Sequence, residues 1–308
     1  MRGPLRGRDR AIGIVGVPTS AGAHWVGQER APGALRAADL VGQLEGAGLR
    51  VTDLGDTPLA IAHQSPSSRR AQNLEAVLGV IRSTVELVDR ALQADLFPLV
   101  IGGDCTITLG VVSAFASTGA DPGVAYIDGS PDLNTPDDSP TGILDSMGAS
   151  HLLGLGDPRL ARVGPTYPML AEDRIAFFGY TPEAMNPAEA DRLSEHVARG
   201  GLACSASAAR PSVGASARAI GAALAARAGT IIVQLDVDAI EAVDFPGANV
   251  PQFNTGLTFA EACQALDAFV DDPKLGAIVI TEFNPDRDRA GEHAGRLVRA
   301  IVDSLRQG

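Results

Sequence analysis

The feature that most constrains this chain is a strict alternation. Short β-branched, apolar runs are followed by longer amphipathic segments rich in Ala, Leu and Arg. The pattern predicts strands at Ala11–Val17, Arg50–Leu54, Phe97–Asp104, Gly123–Gly129, Arg174–Tyr180, Gly201–Ser205, Thr230–Asp238 and Leu275–Glu282. It predicts helices at Pro32–Glu45, Arg69–Leu92, Thr106–Ala116, Ser146–Leu155, Pro187–Arg199, Gly214–Arg227, Phe259–Val270 and Gly291–Arg306. Leu74, Val77, Leu78, Ile81, Val85 and Val88 mark one helical stripe. Thr230-Ile-Ile-Val-Gln-Leu and Leu275-Gly-Ala-Ile-Val-Ile are apolar on both faces, so each strand must be covered on both sides. The expected fold is an α/β/α three-layer sandwich around an eight-stranded parallel sheet, one domain over residues 1–308. The Pro/Gly/Ser clusters His63–Ser68 and Ala206–Ser216 read as loops, not linkers.

Charge narrows the function. Lys and Arg number 25 against 37 Asp and Glu, a net charge of −12. A general binder of nucleic acid or anionic membrane needs a basic face, so neither is expected. No apolar run reaches the roughly 18 residues of a spanning helix. Cys105, Cys204 and Cys263 lie far apart, which argues against a disulfide framework and for a reducing, cytoplasmic setting. Cys204 and Cys263 read as buried and inert. The first strand has no Gly-x-Gly-x-x-Gly after it, so a dinucleotide site is not expected.

Acidic clusters close the strands. They are Gly102-Gly-Asp104-Cys105, Asp128-Gly-Ser-Pro-Asp132-Leu-Asn134, Asp236-Val-Asp238 and Thr281-Glu282-Phe-Asn-Pro285. Any one acid there can simply cap the next helix. Together they point elsewhere, because ligands gather at the carboxyl ends of parallel strands. Converging carboxylates repel unless a cation lies between them, and oxygen-rich sets suit magnesium or manganese. Asp236 and Asp238, two residues apart on a strand, are expected to project on one side. The histidines sit outside these clusters. His151 reads as a packed helical residue, and His24 as an exposed loop residue.

These clusters, in this order, resemble the ureohydrolase superfamily, which includes arginase and agmatinase. The resemblance runs from Gly16-Val-Pro and Arg30-Ala-Pro-Gly-Ala-Leu-Arg36 to Glu282-Phe-Asn-Pro285 and the last helix. It implies a binuclear manganese site that activates water against a guanidinium carbon. By position, Cys105 and Ser130 stand at two histidine ligands, and Asp128 and Asp236 at carboxylates shared by both metals. Asp132 matches a ligand of the first metal and Asp238 one of the second. Asp132, Asp145 and Glu282 fall at catalytic positions, with Asp145 in place of a proton-shuttling histidine. Asn134 and Thr141 fall where an amino-acid head group is held, and Glu282 where the guanidino group is held. The loop Ala239-Ile-Glu-Ala-Val-Asp-Phe-Pro-Gly-Ala-Asn249 departs from the family pattern.

Two functions remain open. One is an amidinohydrolase for a guanidino or N-hydroxyguanidino amino acid. The chain resembles the Nω-hydroxy-L-arginine branch at Cys105, Tyr126-Ile-Asp-Gly, Asp132-Leu-Asn-Thr-Pro136 and Thr141-Gly-Ile-Leu. The other is a degenerate homologue that keeps the acidic pocket but is inactive or runs a different reaction. With Ser130 as ligand, the second metal is expected to be weakly held. Asp145 on its own reads as a solvated helix-start residue. The segments Tyr180–Asn186 and Ala239–Asn254 are expected to shape the substrate end of the pocket, the expected partner is a small guanidino molecule, and a homo-oligomer is compatible with the resemblance.

Overall fold

The computed structural model describes residues 10–63, 70–253 and 255–307. The strands are β1 (Ile12–Val17), β2 (Val51–Asp56), β3 (Phe97–Gly102), β4 (Pro122–Ile127), β5 (Ile175–Phe178), β6 (Leu202–Cys204), β7 (Thr230–Asp236) and β8 (Leu275–Thr281). They form one eight-stranded sheet in the order β2-β1-β3-β8-β7-β4-β5-β6. Every pairing is parallel. This is the sheet the alternating pattern predicts. The central strands are buried along their length, while edge strands β2 and β6 are partly exposed.

The helices are α1 (Ala31–Ala37), α2 (Leu40–Gly46), α3 (Leu74–Gln93), α4 (Ile107–Ser117), α5 (Gly148–Leu152), α6 (Pro158–Ala161), α7 (Pro187–Ala198), α8 (Ala206–Ala209), α9 (Val213–Ala225), α10 (Phe259–Val270) and α11 (Glu292–Gln307). Strand residues alternate between two cores because side chains alternate across a strand. Ile14, Leu99, Ile101, Ile127, Leu235 and Ile280 pack with α1, α2, α9, α10 and α11. Val15, Val100, Val124, Ile232 and Val279 pack with α3, α4 and α5.

Several expected boundaries shift for local reasons. The helix expected at Pro32–Glu45 is broken into α1 and α2 by Asp39, whose φ of 65° is left-handed; Asp tolerates that conformation better than most residues. The helix expected at Ser146–Leu155 is a 3₁₀ turn, Asp145–Met147, followed by α5, and the chain turns away at Gly154 with φ 79°. Arg69, residues 64–68 of the expected loop and Asn254 lie outside the described residues. α3 begins after Asn73, at φ 53°. β3, β4, β7 and β8 all stop short of their expected ends, so apart from Asp236, the last residue of β7, the acids sit on the loops beyond them.

Candidate metal centre and active site

The sheet order explains why clusters so far apart in sequence meet. β3, β8, β7 and β4 are consecutive neighbours. Ile101 pairs with Ile280, Ile280 with Leu235, and Leu235 with Ile127, which makes one rung across all four strands. The chemistry begins just beyond that rung. Asp128 and Asp236 follow it by one residue, Glu282 by two and Cys105 by four.

Each loop is fixed by its own hydrogen bonds. After β3, a Cβ on Gly103 would lie 1.6 Å from the Thr19 carbonyl oxygen, so only glycine fits. Asp104 turns away from the cavity. It accepts from Thr19 Oγ1 at 3.3 Å and from the Gly22 amide at 3.0 Å, tying down the loop after β1. Cys105 Sγ donates to Asp132 Oδ2 at 3.3 Å and to the Asp145 carbonyl at 3.1 Å. After β4, Asp128 accepts from the Ser130 amide at 2.9 Å and from Gln234 Nε2 at 3.3 Å. Asp132, left-handed at φ 51°, accepts from the Tyr126 hydroxyl at 2.6 Å. Ser130 Oγ donates to Glu189 Oε1 at 2.8 Å.

Asp238 is not a strand residue. β7 ends at Asp236, which caps the 3₁₀ turn Val237–Ala239 by accepting from the Asp238 amide at 2.9 Å. Asp236 also accepts from Thr281 Oγ1 at 2.9 Å, and Asp238 from the Gly129 amide at 3.0 Å. Glu282 is left-handed at φ 64°, a conformation that costs a non-glycine residue energy. Its Oε1 accepts from Gln28 Nε2 at 3.0 Å and from the Cys105 amide at 3.3 Å. Its Oε2 is buried with no hydrogen-bond partner.

All ten residues singled out from the sequence line one cavity of about 410 Å³: Cys105, Asp128, Ser130, Asp132, Asn134, Thr141, Asp145, Asp236, Asp238 and Glu282. Burial pushes the carboxyls of Asp128, Asp132, Asp236 and Glu282 well above the usual range. Asp238 moves up for the same reason. Neighbouring carboxylates push Asp128, Asp236 and Glu282 further the same way, and the Tyr126 hydrogen bond opposes the rise at Asp132. Burial and then Asp132 raise the Cys105 thiol. Such a cluster is poorly stable as bare anions and suits a cation.

The donors fit that need. Cys105, Asp236 and Glu282 can each place one ligand atom within 4.8 Å of the others, and so can Asp128, Asp236 and Asp238. Asp236 is common to both groups. This differs from the expected first set, since Glu282 joins Cys105 and Asp236 there, while Asp132 is held by Tyr126 and Cys105.

Two readings of the sequence are corrected. Asp145 is buried, not solvated, and His24 lines the cavity, with its Nδ1 3.3 Å from Asp145 Oδ2. The residues that sequence reasoning missed are Glu189, Asn186, Gln252 and Gln28. Asn186 caps α7 and donates from Nδ2 to Asn134 Oδ1 at 2.5 Å. Both it and Gln252 line the cavity, in the two segments expected to shape the substrate end. The Asn186-Pro-Ala-Glu189 helix start was the available signal for α7's contribution. Cys204 and Cys263 are half-buried rather than buried, and burial raises both thiols, Cys263 to about 11. His151 packs as expected, with Nδ1 on the Met147 carbonyl and burial lowering it to about 4. Among the described residues no helix is long and apolar enough to cross a membrane.

Comparison with known proteins agrees with this architecture. The chain is 28% identical over 299 residues to the arginase of Bacillus caldovelox, covering 96% of this chain and 98% of that one. It is 26% identical over 299 residues to the arginase of Bacillus subtilis (strain 168), with the same coverage. The native structure of the Bacillus caldovelox arginase matches with a TM-score of 0.88 at 27% identity, over 96% of this chain and 98% of that one. Formimidoylglutamase from Bacillus subtilis matches in fold alone, with a TM-score of 0.72 at 18% identity, over 97% and 88% of the two chains. The model of the arginase family matches residues 10–306. With that match across nearly its whole length, the chain belongs to the arginase family.

Proposed function

We propose that this protein hydrolyses a C–N bond of a guanidino or N-hydroxyguanidino amino acid, with Nω-hydroxy-L-arginine as the best candidate substrate. The observation that carries the reading is the pair of donor groups sharing Asp236, one of which includes Glu282 with its buried, unpartnered Oε2. Asp128, Asp236 and Asp238 would hold one divalent ion, and Cys105 and Asp236 the other, with a Glu282 oxygen within reach of it. Oxygen-rich donors favour manganese. Such ions supply an activated water at neutral pH and offset the clustered negative charge.

The chain's own residues do the rest. Glu282 Oε2 orients the guanidino nitrogens toward the floor of the cavity. Asp132, fixed by Tyr126, accepts the proton that water gives up as its oxygen bonds to the guanidino carbon. The bond from that carbon to the side-chain nitrogen then breaks, and Asp145 with His24 returns a proton to the leaving amine. Asn134 and Thr141 hold the head group. An N-hydroxylated guanidine is less basic than a guanidinium, so less proton shuttling is needed and a cavity without the shuttle histidine suffices.

One contact favours a second reading. The Ser130 hydroxyl is engaged by Glu189, which supports a form with one firmly held ion and a weak second one. Elemental analysis of protein purified with manganese, followed by assays on Nω-hydroxy-L-arginine, arginine and agmatine, tests both. Two ions and hydroxyurea release support the main reading. One ion with turnover supports the second. Metal-free protein that releases no urea-type product from any of the three overturns both.

A further inference from the structure

Gln28 is fully buried, yet half of its amide is unsatisfied. Nε2 donates to Glu282 Oε1 at 3.0 Å, and Oε1 is buried with no hydrogen-bond partner. An unpaired buried acceptor is costly, so packing alone would favour an apolar side chain of that shape. The oxygen and nitrogen are not interchangeable here, because a flipped amide would set its oxygen against the carboxylate.

The segment carrying Gln28 is strapped onto the loop after β8. Asn284 Nδ2 donates to the Val26 carbonyl at 3.2 Å, Asn249 Nδ2 donates to the Trp25 carbonyl at 3.1 Å, and Arg30 pairs with Asp286. Gly27, at φ 132°, lies so close to Asn284 that a Cβ would come within 2.2 Å of its Oδ1. Glu282 is held in its left-handed conformation by two backbone bonds. Its amide donates to Gly103 O at 2.8 Å, and its carbonyl accepts from Asn249 N at 3.0 Å. Backbone and strap fix the Glu282 Cα and leave its side-chain torsions, which the bonds to Oε1 from Gln28 Nε2 and the Cys105 amide restrain.

We infer that Gln28 is a positioning residue for substrate recognition: by engaging Glu282 Oε1 it reserves Oε2 for the guanidino group. The inference rests on the proposed role of Glu282 and deepens it. It implies a selective defect. Gln28→Met removes the donor at similar volume. It should raise KM for Nω-hydroxy-L-arginine about tenfold, the size expected for one hydrogen bond to a charged group, and change kcat less. The inhibition constant of L-ornithine, which has no guanidino group, should stay within about twofold.

The measurement uses manganese-loaded full-length enzyme, with initial rates for both compounds. Gln28→Asn keeps an amide but falls short of Glu282, and it gives the same selective loss where Met is not tolerated. If both compounds weaken together, Gln28 is merely structural and the inference is overturned. If neither changes, it is equally overturned while the proposed function stands. A wild-type enzyme that acts on neither arginine nor its N-hydroxy derivative overturns the proposed function itself.

Discussion

His24 and Asp145 form an imidazole–carboxylate pair on the cavity wall, with Nδ1 3.3 Å from Oδ2 across 121 residues of sequence. Burial pulls the His24 pKa down, but the hydrogen bond to Asp145 and the carboxylates of Asp145 and Asp238 leave it above 6.5. A histidine raised in this way stabilises the fold fully below its unfolded pKa and loses that contribution as pH rises through the folded value. The imidazole of the metal-free protein, followed by NMR titration, should titrate above 6.5. It should move down in Asp145→Asn, and also when magnesium, a diamagnetic ion, offsets the charge of Asp238. A His24 titration indifferent to Asp145→Asn would contradict the pairing.

Asp236 belongs to both donor groups, whereas Asp238 belongs to one. Asp236→Asn should therefore strip both manganese ions, and Asp238→Ala only one, with turnover falling to background in the former. Metal per chain by elemental analysis, compared at equal added manganese, separates the two. Equal losses in both variants would show that the groups do not share Asp236.

The cluster carboxyls are raised, chiefly by burial, above their ordinary values of 3.8 for Asp and 4.5 for Glu282. Their contribution to stability is whole below those values and is lost as pH rises through the folded ones. Metal-free protein should thus become less heat-stable from the acid range upward. Manganese should restore more stability at about pH 8 than at about pH 5, reaching about 2.7 kcal/mol at a hundredfold excess over Kd. Thermal melts in chelator and in manganese across pH test this, and a manganese increment independent of pH would refute it.

The Ser130 hydroxyl is engaged by Glu189 and by the Asp132 amide, and a hydroxyl is a poor ligand for a divalent ion. Ser130→His should raise occupancy at the Asp128/Asp236/Asp238 group, because imidazole binds such ions well. Cys105→His should retain the ion at the other group. Titration with manganese followed by equilibrium dialysis gives both occupancies. An unchanged second occupancy in Ser130→His would mean that Ser130 does not limit that site.

The sheet was legible because burial on both faces leaves long apolar runs, and Thr230–Asp236 and Leu275–Thr281 are such runs. Helix ends were less legible, since a single left-handed residue such as Asp39 breaks a helix without disturbing its apolar period. The acid clusters were legible because each is local to one strand end. What lay hidden was contact between distant segments. Gln28 meets Glu282 across 254 residues, and nothing in Gly27-Gln28-Glu29 signals that encounter. His24 and Asp145 each looked solvent-facing alone, and the packing of the loop after β1 against the Asp145 turn buries Asp145 and half-buries His24, with Asp145 N donating to the Gly22 carbonyl.

The sheet order carries one more consequence. β8 lies between β3 and β7, so the halves β2-β1-β3 and β7-β4-β5-β6 are joined edge to edge only through it. Among the described residues it is also the last strand in sequence. A growing polypeptide can therefore assemble both flanks while the seam between them is still open, and inserting the final strand requires contacts with partners made long before. Cys105 lies on one bank and Asp236 on the other, while Glu282 arrives with the strand between them; Asp128, Asp236 and Asp238 already stand together on one bank. The Cys105/Asp236/Glu282 group is thus complete only once β8 is in place, and an ion held there would tie the two flanks together across the seam.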